Sequence, residues 1–304
     1  MLEELPNETL LQIFSYLELT DLYQIFSSLN YRFECLLYNK YTSLYARLIS
    51  KVTLPLDKFL FRISKLSLIN WSPNDVSSLL EYSDLPRLNY LNIESTNNDY
   101  FGQPTNNLIH KILFLSKLFK FQIELSPTLY ILDNELPISQ SIKHMKLSMI
   151  TLDMLFNLLK HVPNLCSLNV WLNSNGRIFD SRTYNGYHCL SLKKLTIGLH
   201  NDIKFEEVLF LLQHMPILHS LEISGSVWDR GYLSEQQWKN ILLGENLFPL
   251  LNKIKINIYI RYTANVQNIK MILAQFNQDI FHRTNFVVTH DYMFWFYLTC
   301  FWNT

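Results

Sequence analysis

The side chains able to do chemistry are dispersed along the chain, and none falls at a spacing that builds a reactive centre. Nine histidines are spread over 304 residues. His214 and His219 come closest to a pair, but Pro216 lies between them, so they cannot share a helix face at the i, i+4 spacing of a zinc-binding helix. The four cysteines, Cys35, Cys166, Cys189 and Cys300, form no CxxC pair and no zinc spacing with histidine, a usage that points to a reducing compartment. The adjacent acids Glu206 and Glu207 open a predicted helix, where carboxylates favour the positive end of the dipole without a catalytic role. A nucleophile elbow, a Walker loop, a dinucleotide fingerprint and an HExxH helix are all absent. No catalytic residue, metal ligand or cofactor is expected. The chemistry on offer is recognition, through polar and aromatic side chains that alternate with apolar ones: Tyr90, Asn92, Glu94, Lys120, Gln122, Lys146, Asn169 and Trp171. Trp171 and Tyr90 stand out as anchors, because aromatic residues on a rigid surface supply much of the affinity at interfaces.

The elements that position these residues follow from leucine, which supplies 55 residues against only 7 glycines. The pattern apolar-x-x-apolar-x-apolar recurs with leading residues Ile63, Leu88, Leu118, Ile142, Leu165, Leu192, Leu218 and Leu251, at intervals of 23 to 33 residues. In so apolar a chain the bare triplet proves little, and the punctuation carries more weight. Pro86, Pro163, Pro216 and Pro249 each stand two residues ahead of a triplet and stop a preceding helical pattern. Those helices have credible starts: Ser72-Pro73 as N-cap and N1, Thr151 ahead of Met154 and Leu155, and a capping box over Ser234–Gln237. The predicted cycle is short strand, loop, helix, Pro turn, strand. It resembles a divergent leucine-rich repeat, since the usual Asn after the triplet appears only at Asn173. The resemblance implies an α/β arc with parallel strands inside and helices outside; an ordinary α/β domain is the alternative. Strand alternation then sends the second and third triplet residues into the core, and the polar residues between them to a concave face that meets a target protein.

Residues 5 to 17 place Leu10, Ile13, Phe14 and Leu17 at i, i+3, i+4, i+7, an amphipathic helix that Pro6 and an Asn7 N-cap start. Thr20-Asp21 opens a second such pattern through Leu22, Ile25, Phe26 and Leu29, and Phe33, Leu36 and Leu37 follow an Asn30-Tyr31-Arg32 break. Three short helices in about forty residues bury little surface alone and need a neighbour or a partner. The string Leu5-Pro6-x-Glu8-x-Leu10-x-x-Ile13-Phe14, with Leu17, Asp21-Leu22 and Asn30-x-Arg32-Phe33 after it, resembles an F-box. That resemblance implies docking on a Skp-type adaptor, linked to cullin and RING subunits of an SCF ubiquitin ligase. The adaptor-binding residues it implies are Leu5, Pro6, Glu8, Leu10, Ile13, Phe14, Leu17 and Leu22. The plainer reading is a helical cap on whatever follows. Phe33 stands near where many members carry Trp, which bears on the packing of the third helix.

With 26 Lys+Arg against 26 Asp+Glu, no charge surplus exists to hold nucleic acid, and 48% hydrophobic residues exclude a disordered chain. Leu2, Glu3, Glu4, Leu5 and Pro6 make neither the basic segment nor the unbroken apolar core of a secretory signal, so export is not expected. The greasiest stretch, Tyr292 to Trp302, would make a helix of only ~16 Å against a hydrocarbon core of ~30 Å. It is expected to close the core, with rings such as Trp295 or Phe296 buried, and the protein to be cytoplasmic or nuclear. The expected organisation is an F-box at 1–45, a linker or capping segment at 46–62, and divergent leucine-rich repeats with a C-terminal cap at 63–304. The function this favours is the substrate-recognition subunit of an SCF-type ligase, without catalytic residues of its own. A repeat scaffold that supports no ubiquitylation is the alternative, and an enzyme a weaker third.

Overall fold

All eight triplets run into strands, and a further strand, β1 (Leu44–Ile49), precedes them in a computed structural model of the chain. The strands that carry the triplets are β2 (Ile63–Ile69), β3 (Tyr90–Ser95), β4 (Lys120–Leu125), β5 (His144–Ile150), β6 (Ser167–Leu172), β7 (Lys194–Leu199), β8 (Ser220–Val227) and β9 (Lys253–Arg261). The structure describes residues 2–39, 43–49, 56–82, 85–96, 103–125, 136–174, 188–242, 249–261, 266–276, 287–290 and 295–303. Two compact units divide it, Met1–Lys146 and Leu147–Thr304, with the boundary inside β5. The fold is mixed α/β: N-terminal helices followed by parallel strands.

In the first unit, helices α1 (Asn7–Phe14), α2 (Leu19–Phe26) and α3 (Tyr31–Leu37) precede the parallel run β1-β2-β3-β4. Register explains the core. Leu66, Leu91 and Phe121 align in one row and Leu68, Ile93 and Ile123 in the next, and all six are at most 1% exposed. Each such side chain contributes roughly 1.5–3 kcal/mol of burial, which is why the spacing of the triplet dictates a common register. Helix α4 (Pro73–Tyr82) starts as its sequence suggests, with the Asp75 N–H donating to Ser72 Oγ at 3.2 Å. It packs against α5 (Gln103–Phe114).

The structure refines one expectation for this unit and corrects another. Within the segment expected to be a linker or a cap, residues 46–49 belong to a strand, because Leu44, Ala46 and Leu48 alternate as buried residues of β1, paired in parallel with β2. Downstream, Phe59 and Arg62 are fully buried. Asn7 is not the N-cap of α1: Pro6, extended at ψ 150°, takes that place, and the Asn7 side chain accepts a hydrogen bond from Arg32 instead.

In the second unit β6, β7, β8 and β9 pair in parallel. Leu168, Leu195, Leu221 and Ile254 align, as do Val170, Ile197, Ile223 and Ile256, all buried. Helices α6 (Leu152–Leu159), α7 (Phe205–Gln213), α8 (Glu235–Leu242) and α9 (Val266–Gln275) punctuate the run. Glu207 turns out to cap α7, its carboxylate accepting from the Lys204 N–H at 2.8 Å, and burial raises its pKa. The capping box expected at Ser234 does not close. The Ser234 N–H donates to the Gly231 carbonyl at 3.0 Å, because a 3-10 turn over Arg230–Leu233 precedes α8, and Gln237 Oε1 is buried without a partner.

The aromatic C-terminal run forms β11 (Trp295–Asn303), antiparallel to β9 along its whole length, and β10 (Val287–His290) pairs with its outer edge. Phe296, Leu298 and Cys300 align with Ile260, Ile258 and Ile256 and are buried. A strand places alternate residues of the run in the core. Tyr292 and Phe294 lie outside the described residues, as do the side chains of Trp295, Phe301 and Trp302.

Candidate functional site

The N-terminal helices pack around an aromatic chain. The rings of Phe14 and Phe26 have centroids 4.7 Å apart and those of Phe26 and Phe33 5.3 Å. Leu10, Leu19, Leu22, Leu36 and Leu37 complete the core, each at most 5% exposed. Phe33 fills its position fully, so the departure from Trp leaves α3 packed. Of the residues that the resemblance assigns to adaptor contact, Leu10, Phe14 and Leu22 are interior and hold the helices together. Pro6 and Glu8 are exposed, and Leu5, Ile13 and Leu17 are half-buried, so these five offer surface. The apolar side chains of this segment that protrude furthest are Leu2, Tyr16, Ile25, Leu29 and Tyr31, of which helical spacing had placed Ile25 and Leu29 on the apolar stripe with Leu22 and Phe26.

Arg32 explains how the Leu5-Pro6 segment is held. Its Nε donates to Asn7 Oδ1 at 2.9 Å, and its two terminal nitrogens donate to the carbonyls of Glu3 and Leu5. Beside it, Asn30 Nδ2 donates to Glu3 Oε1 at 2.9 Å while Asn30 Oδ1 caps α3 through the Phe33 N–H at 3.1 Å. One guanidinium thus fastens the N-terminal turn onto α3, using the planar fork of donors that lysine lacks. The helices are also tied to the sheet of this unit. Tyr38 stacks on Phe59 at 5.2 Å and Tyr23 meets it edge-on at 6.1 Å. Arg62, wholly buried, donates to the Leu37 carbonyl at the end of α3; burial and the nearby Arg87 lower its pKa to about 10.

The second group of candidates lies on the polar face of the strands. In the first unit these side chains bind one another across neighbouring strands. The Tyr90 hydroxyl donates to Gln122 Oε1, and the Lys120 ammonium stands 5.1 Å over the Tyr90 ring. Asn92 Nδ2 donates to Ser67 Oγ at 3.1 Å and to Glu94 Oε1 at 2.6 Å. Lys146 pairs with Glu124 at 2.5 Å. Burial, with help from Tyr45, Glu94 and Glu124, raises the Tyr90 pKa, and burial with Lys120 and Lys143 lowers that of His144. Asn92 is the exception to the expectation of an open face, since it is only 7% exposed; its Oδ1 has no partner.

In the second unit Asn169 and Trp171 sit on β6. Trp171 is 45% exposed and lies flat on Gly198, its register partner on β7. A Cβ at Gly198 would come within 2.3 Å of the indole, so glycine is what allows the ring to lie down there. Tyr259 on β9, 40% exposed, meets Tyr297 of β11 edge-on at 5.0 Å. The tertiary structure therefore brings Tyr90, Asn92, Glu94, Lys120, Gln122 and Lys146 together in the first unit and Asn169 with Trp171 in the second.

Among the described residues, no group of three or more His, Cys, Asp or Glu side chains is placed to hold a metal ion, and no helix is long and apolar enough to cross a membrane. No curated protein matches the chain. Residues 2–48, which comprise the three helices, their Arg32 clamp and most of β1, match the F-box-like family.

Proposed function

We propose that the protein is the substrate-recognition subunit of an SCF-type ubiquitin ligase, with residues 2–48 docking on a Skp-type adaptor and the polar strand face holding a target protein. The observation that carries this reading is the F-box-like match on a helical cluster whose Leu5-Pro6 segment is fastened at the surface by Arg32. The recurrence of triplet, strand and Pro turn supports leucine-rich repeats as the scaffold of the target face. Ubiquitin transfer on this reading uses a thiol of another subunit. The chain itself supplies proximity, which converts an encounter between ubiquitin-loaded enzyme and target into a nearly intramolecular step. The adaptor would link it to cullin and RING subunits in the cytoplasm or nucleus.

The test is reconstitution. The full chain should co-purify with a Skp-type adaptor and, with cullin, RING and conjugating enzyme added, should direct ubiquitin to proteins that bind the strand face. Adaptor binding with no ubiquitylation of a bound protein would replace the ligase reading with that of an interaction scaffold. Failure to bind any Skp-type adaptor would remove both the adaptor and the ligase.

A further inference from the structure

The polar faces of both units carry more basic than acidic side chains. In the first unit Arg47, Lys65, Lys120 and Lys146 share the face with Glu94 and Glu124, and there Glu124 is engaged with Lys146, Glu94 with Asn92 and Gln122 with Tyr90. In the second unit, alternation along the strands brings Lys194, Lys253, Lys255 and Arg261 to the face against one carboxylate, Glu222. Glu222 is already taken by Lys255 at 2.5 Å. Among the described residues, Lys194, Lys253 and Arg261 have no carboxylate within ion-pair distance. The chain as a whole is neutral, with 26 basic and 26 acidic residues, so this local excess is a segregation of charge and not a reflection of composition.

The excess is also ordered. Ser167, Lys194, Ser220 and Lys253 form one row across β6, β7, β8 and β9. Hydroxyl and ammonium alternate along it, and the two lysines are about 10 Å apart at a strand spacing of ~4.8 Å. The row of Trp171, Gly198, Ser224 and Asn257 runs parallel to it, about 13 Å further along the strands. Trp171 is exposed at one end of that row, and Tyr259 follows Asn257 two residues further along β9. Small side chains fill the space between the two rings, Gly198 and Ser224 among them.

Resting on the reading of this face as the target surface, we infer that the second unit takes an acidic peptide segment of the target. Its carboxylates lie over Lys194 and Lys253, and a large apolar side chain packs between Trp171 and Tyr259. Charge complementarity selects this occupant. A basic segment would meet like charge, and a purely apolar one would leave the lysine row desolvated without counter-charge. The exposed indole, immobilised on Gly198, provides a rigid anchor at small entropic cost.

The test uses the full chain and three fluorescent peptides of one length: Glu and Asp residues around a central Phe-Leu pair, the same peptide with every acid replaced by Lys, and one with neutral Ser and Gln in those places and a single phosphoserine. The acidic peptide should bind best and weaken steeply with added salt. Lys194→Glu with Lys253→Glu should weaken it at least about tenfold and improve binding of the basic peptide, and Trp171→Ala should weaken it about tenfold while keeping the salt dependence. Wild-type protein that binds the acidic peptide no more tightly than the basic one overturns the inference, with no variant needed. Binding of the phosphorylated peptide alone also overturns it, in favour of a modified target. Adaptor co-purification on the same preparation separates the two readings. Adaptor bound without acidic peptide defeats only this inference, and acidic peptide bound without adaptor defeats only the ligase.

Discussion

Arg32→Ala removes the clamp on the N-terminal turn and tests whether that turn is what an adaptor reads. The guanidinium makes three hydrogen bonds, to Asn7 Oδ1 and to the carbonyls of Glu3 and Leu5. At about 1 kcal/mol net for each bond, their loss releases about 3 kcal/mol of local order. The Asn30–Glu3 hydrogen bond survives, so the segment frays in part. A binding partner must then order it again, and a cost of about 1.4 to 2.8 kcal/mol corresponds to a loss of about 10- to 100-fold in adaptor affinity. The main melting transition should stay in place, because Phe14, Phe26 and Phe33 still pack and the strands are untouched. Titration calorimetry with purified Skp-type adaptor reads the affinity, and circular dichroism the melting. Arg32→Lys should rescue little, since an ammonium cannot span three acceptors that a planar fork reaches. A folded Arg32→Ala protein that binds adaptor within about twofold of wild type would refute the reasoning, and the Leu5-Pro6 segment would then lie outside the interface.

Four further outcomes are expected. Ile13→Asp with Leu17→Asp should abolish adaptor pull-down, a loss of about 10³ or more from burying two unpaired charges, while the melting profile persists because both side chains are only half-buried in the free chain. Deleting residues 1–45 should destabilise the first unit rather than leave its strands intact, since it uncovers Phe59, removes the Leu37 carbonyl that Arg62 binds and cuts into β1; a soluble product melting like wild type would show the N-terminal helices to be a separable module. Truncation after Asp291 removes β11 with Phe296, Leu298 and Cys300 and bares the edge of β9, so denaturant titration should show a loss of about 4 kcal/mol or more, together with aggregation. Burial pushes the Cys300 thiol up to about 12 from an ordinary value of 9.0. The unfolded chain therefore ionises first, the thiol's contribution to stability is complete below pH 9, and it declines by about 1.4 kcal/mol per pH unit from there towards pH 12; Cys300→Ala should flatten that decline in urea melts at successive pH values.

Local patterns carried a large part of this architecture. The second and third residues of each triplet sit on a strand because period-2 burial is a property of a few consecutive residues, and Pro86, Pro163, Pro216 and Pro249 end up in turns because proline cannot continue a helix past its first turn. The order of apolar and polar residues likewise named the side chains of the strand face. β1 is not legible in the sequence because Leu44, Ala46 and Leu48 form a short alternation with no triplet, made a strand only by the β2 edge beside it. The capping box at Ser234 failed for the same reason in reverse, since the turn before it supplies a nearer acceptor.

The sequence by itself determined where the apolar stripes and strand segments lie, because helix and strand periodicities depend on neighbours a few residues away. Only the tertiary structure decided which side of each stripe meets water. Leu10, Phe14 and Leu22 went inside while Leu5, Ile13 and Leu17 kept surface, because three helices packed together bury whatever their mutual crossing encloses. It also decided that Arg32 reaches back to residues 25 to 29 positions earlier, that Trp171 finds a glycine to lie on one strand away, and that the aromatic C-terminus returns antiparallel to β9. Each of these joins residues distant along the chain, and a partner in space leaves no mark on the local spacing of the residue that finds it.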